Sequence, residues 1–274
     1  AKFINNIGTE KYLKINIPNL NQSLDIKFDS TTTLENFSGE LKLKVLESIL
    51  LLNFKGKDSF AISDSYLRNK FLNSKINGKI SFENNFYFDL DLGINQINLR
   101  RLLMYYPIFQ RGGVSKKLNG KFSIILRSTD SFFGKIKNAK MNVIFENGDI
   151  RIEKLSASLP GKSKIKSNIL ILNDNKRPKI NFNINFFTND AVKFLRKFGL
   201  YDIDQKQTSL FIDGSINLDT KKINFKKIIK NNNERVGAKE SLIIANAFNE
   251  YVINDGILGL FDFFKAKKIL QEIY

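Results

Sequence analysis

Apolar and polar residues alternate along much of this 274-residue chain. In the clearest segment, apolar residues occupy every second position from Phe86 to Ile94, and Asp89 and Asp91 lie between them. Successive side chains of a β-strand point to opposite faces of a sheet, so this period of two predicts strands with one apolar and one polar face. The same alternation recurs at residues 13–17, 24–28, 41–45, 165–171, 180–186 and 210–218.

This pattern predicts a mostly β protein. We expect an elongated, curved antiparallel sheet that forms an apolar groove, with short helices and an amphipathic helical C-terminus. Parallel strands are apolar on both faces and need regular crossover helices, which the sequence lacks. We therefore expect residues 1–230 to form a repetitive β-groove domain, and residues 231–274 to form a C-terminal amphipathic helical segment.

Three segments carry helix signals. Asn98 is positioned to cap a short helix that ends at Pro107. Asn189 or Asp190 is positioned to cap a second helix over residues 192–198, with Gly199 as its stop signal. The third helix begins at about residue 239, and a further amphipathic turn runs from residue 258 to 269. We expect the apolar face of the third helix to contain Leu242, Ile243, Phe248, Tyr251 and Val252.

A weak internal repeat places glycine within the strands. The string apolar–Asn/Asp/Ser–Gly–x–apolar–x–apolar occurs four times, at Gly39, Gly78, Gly120 and Gly214. Each glycine falls in register with the apolar face. Glycine at such a position indicates a β-bulge or a close approach of two backbones rather than a hairpin turn.

The composition excludes several classes of enzyme and metal site. The chain has 44 Lys and Arg against 27 Asp and Glu, a net charge of +17, and it has no Cys and no His. It therefore has no thiolate nucleophile, no Cys or His metal ligand and no Ser-His-Asp triad, and we predict no metal and no cofactor. The basic charge suits an anionic membrane surface. Nucleic acid is not predicted as a partner, because the phenylalanines and lysines fall on opposite faces of the strands.

Two motifs are candidates for a catalytic or phosphate-binding role. Asp89 and Asp91 lie roughly 7 Å apart on the polar face of one strand. Retaining glycosidases place their carboxylates about 5–5.5 Å apart, and on separate elements. Gly161-Lys162-Ser163 resembles the end of a phosphate-binding loop, but Ser156 occupies the position of the first glycine. Both segments are interpreted as ordinary strand and turn residues, and the protein is predicted not to be an enzyme. An envelope hydrolase that uses only carboxylates remains a rival hypothesis.

The apolar face has two interpretations. It is either the core of a closed β-sandwich or an open groove that holds an acyl chain. Burial contributes about 0.8 kcal/mol per methylene, so a chain of roughly 16 carbons gains on the order of 12 kcal/mol without any polar contact. The residues predicted to line the groove are Phe86, Phe88, Leu90, Leu92, Ile169, Ile171, Ile180, Phe182, Ile184 and Phe186.

The C-terminal segment contains a second candidate surface, in which aromatic and basic residues are mixed. Such clusters suit a membrane interface. The alternative is a helix packed over the open end of the sheet. The residues in question are Phe261, Phe263, Phe264, Lys265, Lys267 and Lys268.

One longer string resembles a known family. Residues 134–139 lead into a strand, the turn Glu146-Asn147-Gly148, a short strand to Ile152, and then a stretch of small residues that ends at Gly161. The helical segments 97–103 and 190–195, and the strand pair 210–219 and 223–225, fit the same pattern. Over roughly residues 76–228 the chain resembles the AsmA family of Gram-negative envelope proteins, which includes the TamB-type members.

The resemblance implies a long coiled β-groove with an apolar interior and no catalytic residues. It also implies a periplasmic body, an inner-membrane anchor helix that is absent from this chain, and a role in outer-membrane lipid transport and assembly. The expected partners are phospholipid, a membrane surface and outer-membrane assembly proteins. The alternative is a non-enzymatic β-scaffold for outer-membrane protein assembly, which offers its sheet edge to a client strand.

Overall fold

The computed structural model describes residues 6–7, 10–17, 22–29, 36–83, 86–98, 115–131, 134–173, 178–196, 199–201, 206–220, 222–231, 234–255, 267–268 and 270–271. Within these ranges all sixteen strands belong to one sheet, and their order in the sheet follows their order in the chain. The sheet is curved and does not close on itself. The predicted fold class, a mostly β protein with one long curved sheet and short helices, is confirmed.

The strands are short at both ends of the sheet and longest in its middle. The first eight are β1 (Asn6–Ile7), β2 (Glu10–Ile17), β3 (Gln22–Phe28), β4 (Phe37–Val45), β5 (Ser48–Gly56), β6 (Ser59–Arg68), β7 (Leu72–Ser81) and β8 (Tyr87–Ile97). The second eight are β9 (Asn119–Ser131), β10 (Gly134–Glu146), β11 (Asp149–Leu159), β12 (Ser163–Leu172), β13 (Lys179–Thr188), β14 (Thr208–Asn217), β15 (Ile223–Lys230) and β16 (Glu234–Arg235).

Neighbouring strands pair antiparallel, with one exception. β8 and β9 run parallel, with Phe88 opposite Gly120 and Leu92 opposite Ile124. A parallel pair needs a connection that returns to the starting end of the sheet. That connection contains residues 99–114, so the helix predicted after Asn98 lies outside the described residues.

Two β-bulges of the same construction interrupt the alternation. Asp64 in β6 and Lys154 in β11 have positive φ angles of 47° and 55°, and the strand register shifts at each. The amide N–H of each donates a 3.0 Å hydrogen bond to the side-chain oxygen of an asparagine on the next strand, Asn77 and Asn168 respectively. Bulges increase the local twist and bend of a strand, so this pair of bulges contributes to the curvature of the sheet.

The glycines of the internal repeat lie where two backbones approach closely, as predicted. A Cβ on Gly39 would overlap the backbone of Lys27, and one on Gly78 would overlap the backbone of Asp89. A Cβ on Gly120 would overlap both the carbonyl group and the ring of Phe88. Gly120 also has a φ of 155°, which side chains rarely adopt. No other residue fits these positions without displacing the neighbouring strand.

Two helices pack against the sheet. Helix α1 (Ala191–Arg196) follows β13, and its N-cap is Asp190, whose carboxylate accepts a 3.1 Å hydrogen bond from the amide of Lys193. Gly199, with a φ of 75°, follows its end. Helix α2 (Ala238–Asp255) begins within one residue of the predicted position.

The predicted apolar face of α2 is wrong at two positions. Leu242 and Ile243 are exposed, and the buried residues are Ile244 and Ala245. Residues 242–245 are four consecutive apolar residues, so periodicity alone could not fix the rotation of the helix. Contacts fix it instead, because the side chain of Asn249 accepts a 2.8 Å hydrogen bond from the amide of Ile223 at the edge of β15.

Candidate functional site

The apolar face of the sheet is continuous from β2 to β15. Antiparallel and parallel register place side chains of the same face in rows that cross the strands. The central row crosses six strands and contains Leu90, Phe122, Val143, Ile152, Ile169 and Phe182. A second row contains Phe88, Phe145, Ile150, Ile171, Ile180, Ile216 and Ile223, with Gly120 between the first two.

The predicted groove residues therefore share one face. Leu90, Ile169 and Phe182 belong to the central row, and Phe88, Ile171 and Ile180 belong to the second. Leu92 lies opposite Ile124, Ile184 lies opposite Ser167 and Ile212, and Phe186 lies opposite Ile165 and Leu210. Phe86 lies just before β8 and is exposed, with its ring centroid 6.0 Å from that of Phe88.

The coverage of this face differs along the sheet. In β2 to β5 none of the inward hydrophobic side chains is buried. In the middle, Ile94, Leu126 and Ala139 form a buried cluster. No second sheet lies over this face in the part of the chain that the structure describes, because every described strand belongs to the same sheet.

At the C-terminal end the two helices cover the face. Leu210 of β14 and Ile228 of β15 form a buried cluster with Val236 and with Ile244 of α2. Helix α1 places the ring of Phe194 at 4.6 Å from the ring of Phe186. The apolar face is therefore half-exposed at its N-terminal end and closed at its C-terminal end.

A continuous row of phenylalanine rings borders one side of the face. Neighbouring ring centroids in the row lie 4.6–6.5 Å apart. The row consists of Phe28, Phe37, Phe54, Phe60, Phe82, Phe86, Phe88, Phe122 and Phe145. Sequence reasoning missed this row. No local sequence signal marks the row, because it depends on the pairing of glycine with phenylalanine across strands, as at Gly39 between Phe28 and Phe54.

Hydroxyl groups on the apolar face are bonded to the protein itself. The Ser74 hydroxyl donates to the carbonyl of Leu67 at 3.1 Å, and the Ser167 hydroxyl donates to the carbonyl of Asn183 at 2.7 Å. The Thr188 hydroxyl lies 3.2 Å from the carbonyl of Gly161. A hydroxyl whose hydrogen is already bonded costs little to cover with hydrocarbon. These residues therefore leave the apolar character of the face intact.

The opposite face is polar and basic. Asp89 and Asp91 are exposed there, beside Lys79 and Lys121, on the wall of an open cavity of about 810 Å³. Among the described residues, no group of three Asp, Glu, His or Cys side chains is arranged to hold a metal ion. Gly161 and Lys162 form the turn between β11 and β12, in agreement with the interpretation of that motif as a turn.

The C-terminal candidates are only partly described, because residues 261–266 lie outside the described ranges. Lys267 lies close to Gly199, where an added Cβ would be 2.8 Å from the lysine nitrogen. Leu270 packs against the buried cluster of Ala191, Phe194 and Leu195. This contact is the one expected of a segment packed at the end of the sheet, while membrane contact by these residues remains a prediction.

No helix within the described ranges is both long enough and apolar enough to cross a bilayer.

Comparisons with known proteins identify no relative. No family model, no curated protein and no solved structure matches the chain. The apolar face and its surroundings are therefore interpreted from their own chemistry. A wide, half-exposed hydrophobic surface that is bordered by aromatic rings, and whose hydroxyls at Ser74, Ser167 and Thr188 are hydrogen-bonded, is suited to contact with hydrocarbon.

Proposed function

We propose that this protein binds the acyl chains of phospholipids on the apolar face of its sheet and passes them along that face. The acyl chain lies across the strands, and the polar head group stays at the border of the sheet in water. Transfer is passive, and it requires no catalytic residue and no cofactor. The protein acts as a lipid-binding conduit rather than as an enzyme.

The observation that carries the proposal is the unbroken apolar face combined with its incomplete coverage. From β2 to β5 the inward hydrophobic side chains keep part of their surface in water. Soluble monomeric proteins rarely expose large contiguous apolar patches unless the patch has a function. Each methylene of a bound acyl chain contributes about 0.8 kcal/mol, so a face of this kind can bind a lipid without hydrogen bonds.

The proposed cellular location rests on the resemblance to the AsmA family. On this proposal the protein works in the periplasm, is anchored to the inner membrane by a helix outside this chain, and supports lipid transport to the outer membrane and its assembly. The net charge of +17 favours contact with anionic membrane surfaces. Residues Phe261 to Lys268 are proposed to provide one such contact.

A second candidate function is a scaffold for the assembly of outer-membrane proteins. It is favoured by the edge of the sheet at β2, because β1 pairs with β2 only at Glu10 and Lys11. From Tyr12 to Ile17 that edge has no partner strand among the described residues. An unpaired strand edge can accept a strand from another chain.

The main experiment is mass spectrometry of lipids that copurify with the chain. We expect phospholipid in the wild type and its loss in Phe182→Asp, which places a charge in the central row. Asn183→Asp is the matched control, because Asn183 is the next residue of the same strand and lies on the opposite face. Loss of lipid from both variants, or from neither, would contradict the proposal.

A second variant keeps the proposal testable if Phe182→Asp does not fold. Leu43 lies on the half-exposed part of the face in β4. A charge at Leu43 therefore remains partly solvated and costs less folding energy than one at a buried position. We expect Leu43→Asp to lose lipid while it keeps the far-ultraviolet circular dichroism of the wild type. Survival of client-protein assembly in these lipid-free variants would support the scaffold function.

A further inference from the structure

The meandering sheet has two long borders with different chemistry. Because consecutive strands other than β8 and β9 run in opposite directions, the turns alternate between the two borders on either side of that pair. One border carries the row of phenylalanine rings and is called the aromatic rim. The opposite border, called the basic rim, carries the turns β4–β5, β6–β7 and β11–β12 and helix α1.

Charges at the aromatic rim are mixed in sign. The charged residues in or beside its described turns are Asp29, Lys57, Asp58, Glu83, Lys116, Lys117, Glu146, Asp149, Lys179, Asp219 and Lys222. Arg151 bonds to Glu146 at 3.0 Å, which neutralises one of these carboxylates. The electrostatic potential at this rim is therefore not strongly positive or negative, and it does not favour an anionic ligand.

Charges at the basic rim are mainly positive. Lys70 and Glu47 form a 2.6 Å salt bridge, so their charges cancel. β15 ends and β16 begins at this border as well, where Lys230 pairs with Glu240 at 2.9 Å. The remaining cations in or beside the described turns are Arg68, Lys162, Lys193, Arg196 and Lys206, and the remaining carboxylates are those of Asp190 and Glu234. Lys162, Lys193, Arg196 and Lys206 are exposed and form no ion pair with any described residue.

Four of these cations belong to one corner of the sheet, built around α1. The carbonyl of Gly161, the neighbour of Lys162, accepts a bond from Thr188 at the end of β13. The carbonyl of Lys206 accepts a 3.1 Å bond from the amide of Ala191, the first residue of α1. Lys193 and Arg196 lie on α1 itself. We name Lys162, Lys193, Arg196 and Lys206 the α1 corner.

The α1 corner adjoins the apolar face. Phe186, two residues before Thr188, lies in a row with Ile165 and Leu210, and its ring contacts Phe194 of α1. Phe186 and Leu210 are covered by α1 and α2, whereas Ile165 and its neighbour Ala157 on β11 are half-exposed. An acyl chain that lies on Ala157 and Ile165 therefore has its polar end at the α1 corner. Clustered cations with no carboxylate partner attract phosphate oxygens, and arginine does so with two parallel hydrogen bonds.

We propose that the α1 corner binds the phosphate group of a phospholipid whose acyl chain lies on the apolar face. This inference rests on the proposed lipid-binding function and adds to it the position and orientation of the head group. The phosphate lies at the basic rim, and the acyl chain extends from it across the strands of the apolar face.

The test uses two probes with the same acyl chain: a lysophosphatidylglycerol, which carries a phosphate, and a monoacylglycerol, which does not. Binding to the whole chain is measured by calorimetry below the critical micelle concentration. We expect the wild type to bind the phosphate probe about tenfold more tightly than the neutral probe, with a difference that shrinks as salt is added.

Two variants with four substitutions each distinguish the effect of the α1 corner from the effect of the net charge. Lys162→Gln, Lys193→Gln, Arg196→Gln and Lys206→Gln together remove the α1 corner, and we expect the preference for phosphate to disappear while the neutral probe still binds. The matched control combines Lys57→Gln, Lys116→Gln, Lys117→Gln and Lys179→Gln at the aromatic rim. It removes the same number of charges and should keep the preference.

The possible outcomes distinguish the inference from the function on which it rests. Equal affinity of the wild type for both probes would overturn the head-group assignment alone. Equal loss of the preference in both four-site variants would also overturn it, because net charge would then explain the effect. If neither probe binds, the proposed function itself fails. Competition by millimolar inorganic phosphate against the phosphate probe, but not against the neutral one, would show that the corner recognises phosphate without an acyl chain.

Discussion

The two ends of the sheet carry the same alternation but differ in what covers it. In β3 and β4, Ile26 and Leu43 face the same side as Ile212 and Ile228 do in β14 and β15. The first pair is half-exposed, whereas Ile228 is 1% exposed beneath α2. The difference arises from the helices, since all four residues lie in regular strands of one sheet.

This difference indicates that the sheet forms whether or not its apolar face is buried. Register, glycine contacts and bulges are present along the whole sheet, so strand pairing does not depend on a covering layer. At the C-terminal end burial depends on α1 and α2, which follow β13 and β16 in the chain, whereas the central cluster of Ile94, Leu126 and Ala139 is buried with no described helix in it. The parts of the apolar face without such a helix keep an exposed apolar surface, and this surface is where we expect an acyl chain to bind.

The largest expected effect comes from the covered end. Ile228→Ala removes a buried side chain from the contact between β15 and α2, and it should reduce the free energy of unfolding by about 3 kcal/mol. Leu43→Ala at the half-exposed end should cost about 1 kcal/mol, because its side chain leaves little cavity. Urea denaturation followed by tyrosine fluorescence measures both. Equal costs would mean that the two ends do not differ in packing.

The next effect concerns backbone contact rather than burial. Gly120→Ala should cost about 2 kcal/mol or more, because the new Cβ overlaps Phe88 and φ is 155°. Gly93→Ala in β8 is the matched control, since its Cβ would lie 3.9 Å from the nearest atom, on Lys75. We expect the melting temperature to fall in the first variant and to stay within about a degree of the wild type in the second. A neutral Gly120→Ala would contradict the close approach at this position.

A smaller effect is expected at the cap of α1. Asp190→Ala removes the carboxylate that accepts a hydrogen bond from the Lys193 amide, and it should cost about 1 kcal/mol. Asp190→Asn keeps the acceptor and should restore most of the loss. Hydrogen exchange of residues 191–196, measured by mass spectrometry, reports on the helix directly. If the two variants exchange alike, the carboxylate does not cap α1 through this bond.

The sequence predicts the strands with strict alternation and misses those that break it. Residues 165–171 and 180–186 fall within β12 and β13. β5 was not predicted, because Ile49 and Leu51 place apolar residues on the polar face as well. β6 was not predicted either, because the bulge at Asp64 shifts the period in mid-strand. A local pattern cannot predict a bulge that depends on an asparagine of the next strand.

The features of the candidate site are likewise only partly predictable from the sequence. Alternation places Phe182, Ile169 and Leu90 on one face, but only the register between strands puts them in one row across the sheet. The row of phenylalanine rings and the α1 corner both depend on which turns share a border. Such contacts join residues far apart in the chain, and a single sequence contains no direct signal for them.

The smallest predicted effect tests whether the shape of the sheet is independent of its coverage. The bulge at Asp64 lies near the half-exposed end, and the bulge at Lys154 lies nearer the covered end. Each is held by one exposed asparagine at 3.0 Å. Asn77→Ala and Asn168→Ala should therefore each cost about 0.5 kcal/mol, the lower part of the range for a hydrogen bond.

The two costs should agree, because neither asparagine contacts the apolar face. Asn185→Ala is the control, an exposed asparagine on the polar face of β13 that forms no side-chain hydrogen bond with any described residue. Guanidinium denaturation with replicate curves resolves differences of this size. A clearly larger cost at Asn168 would show that the covering helices also strengthen the bulge, and coverage and shape would then be coupled. Equal costs would mean that the same local device bends the sheet at both ends, and that the helices only determine which part of the apolar face remains available to a ligand.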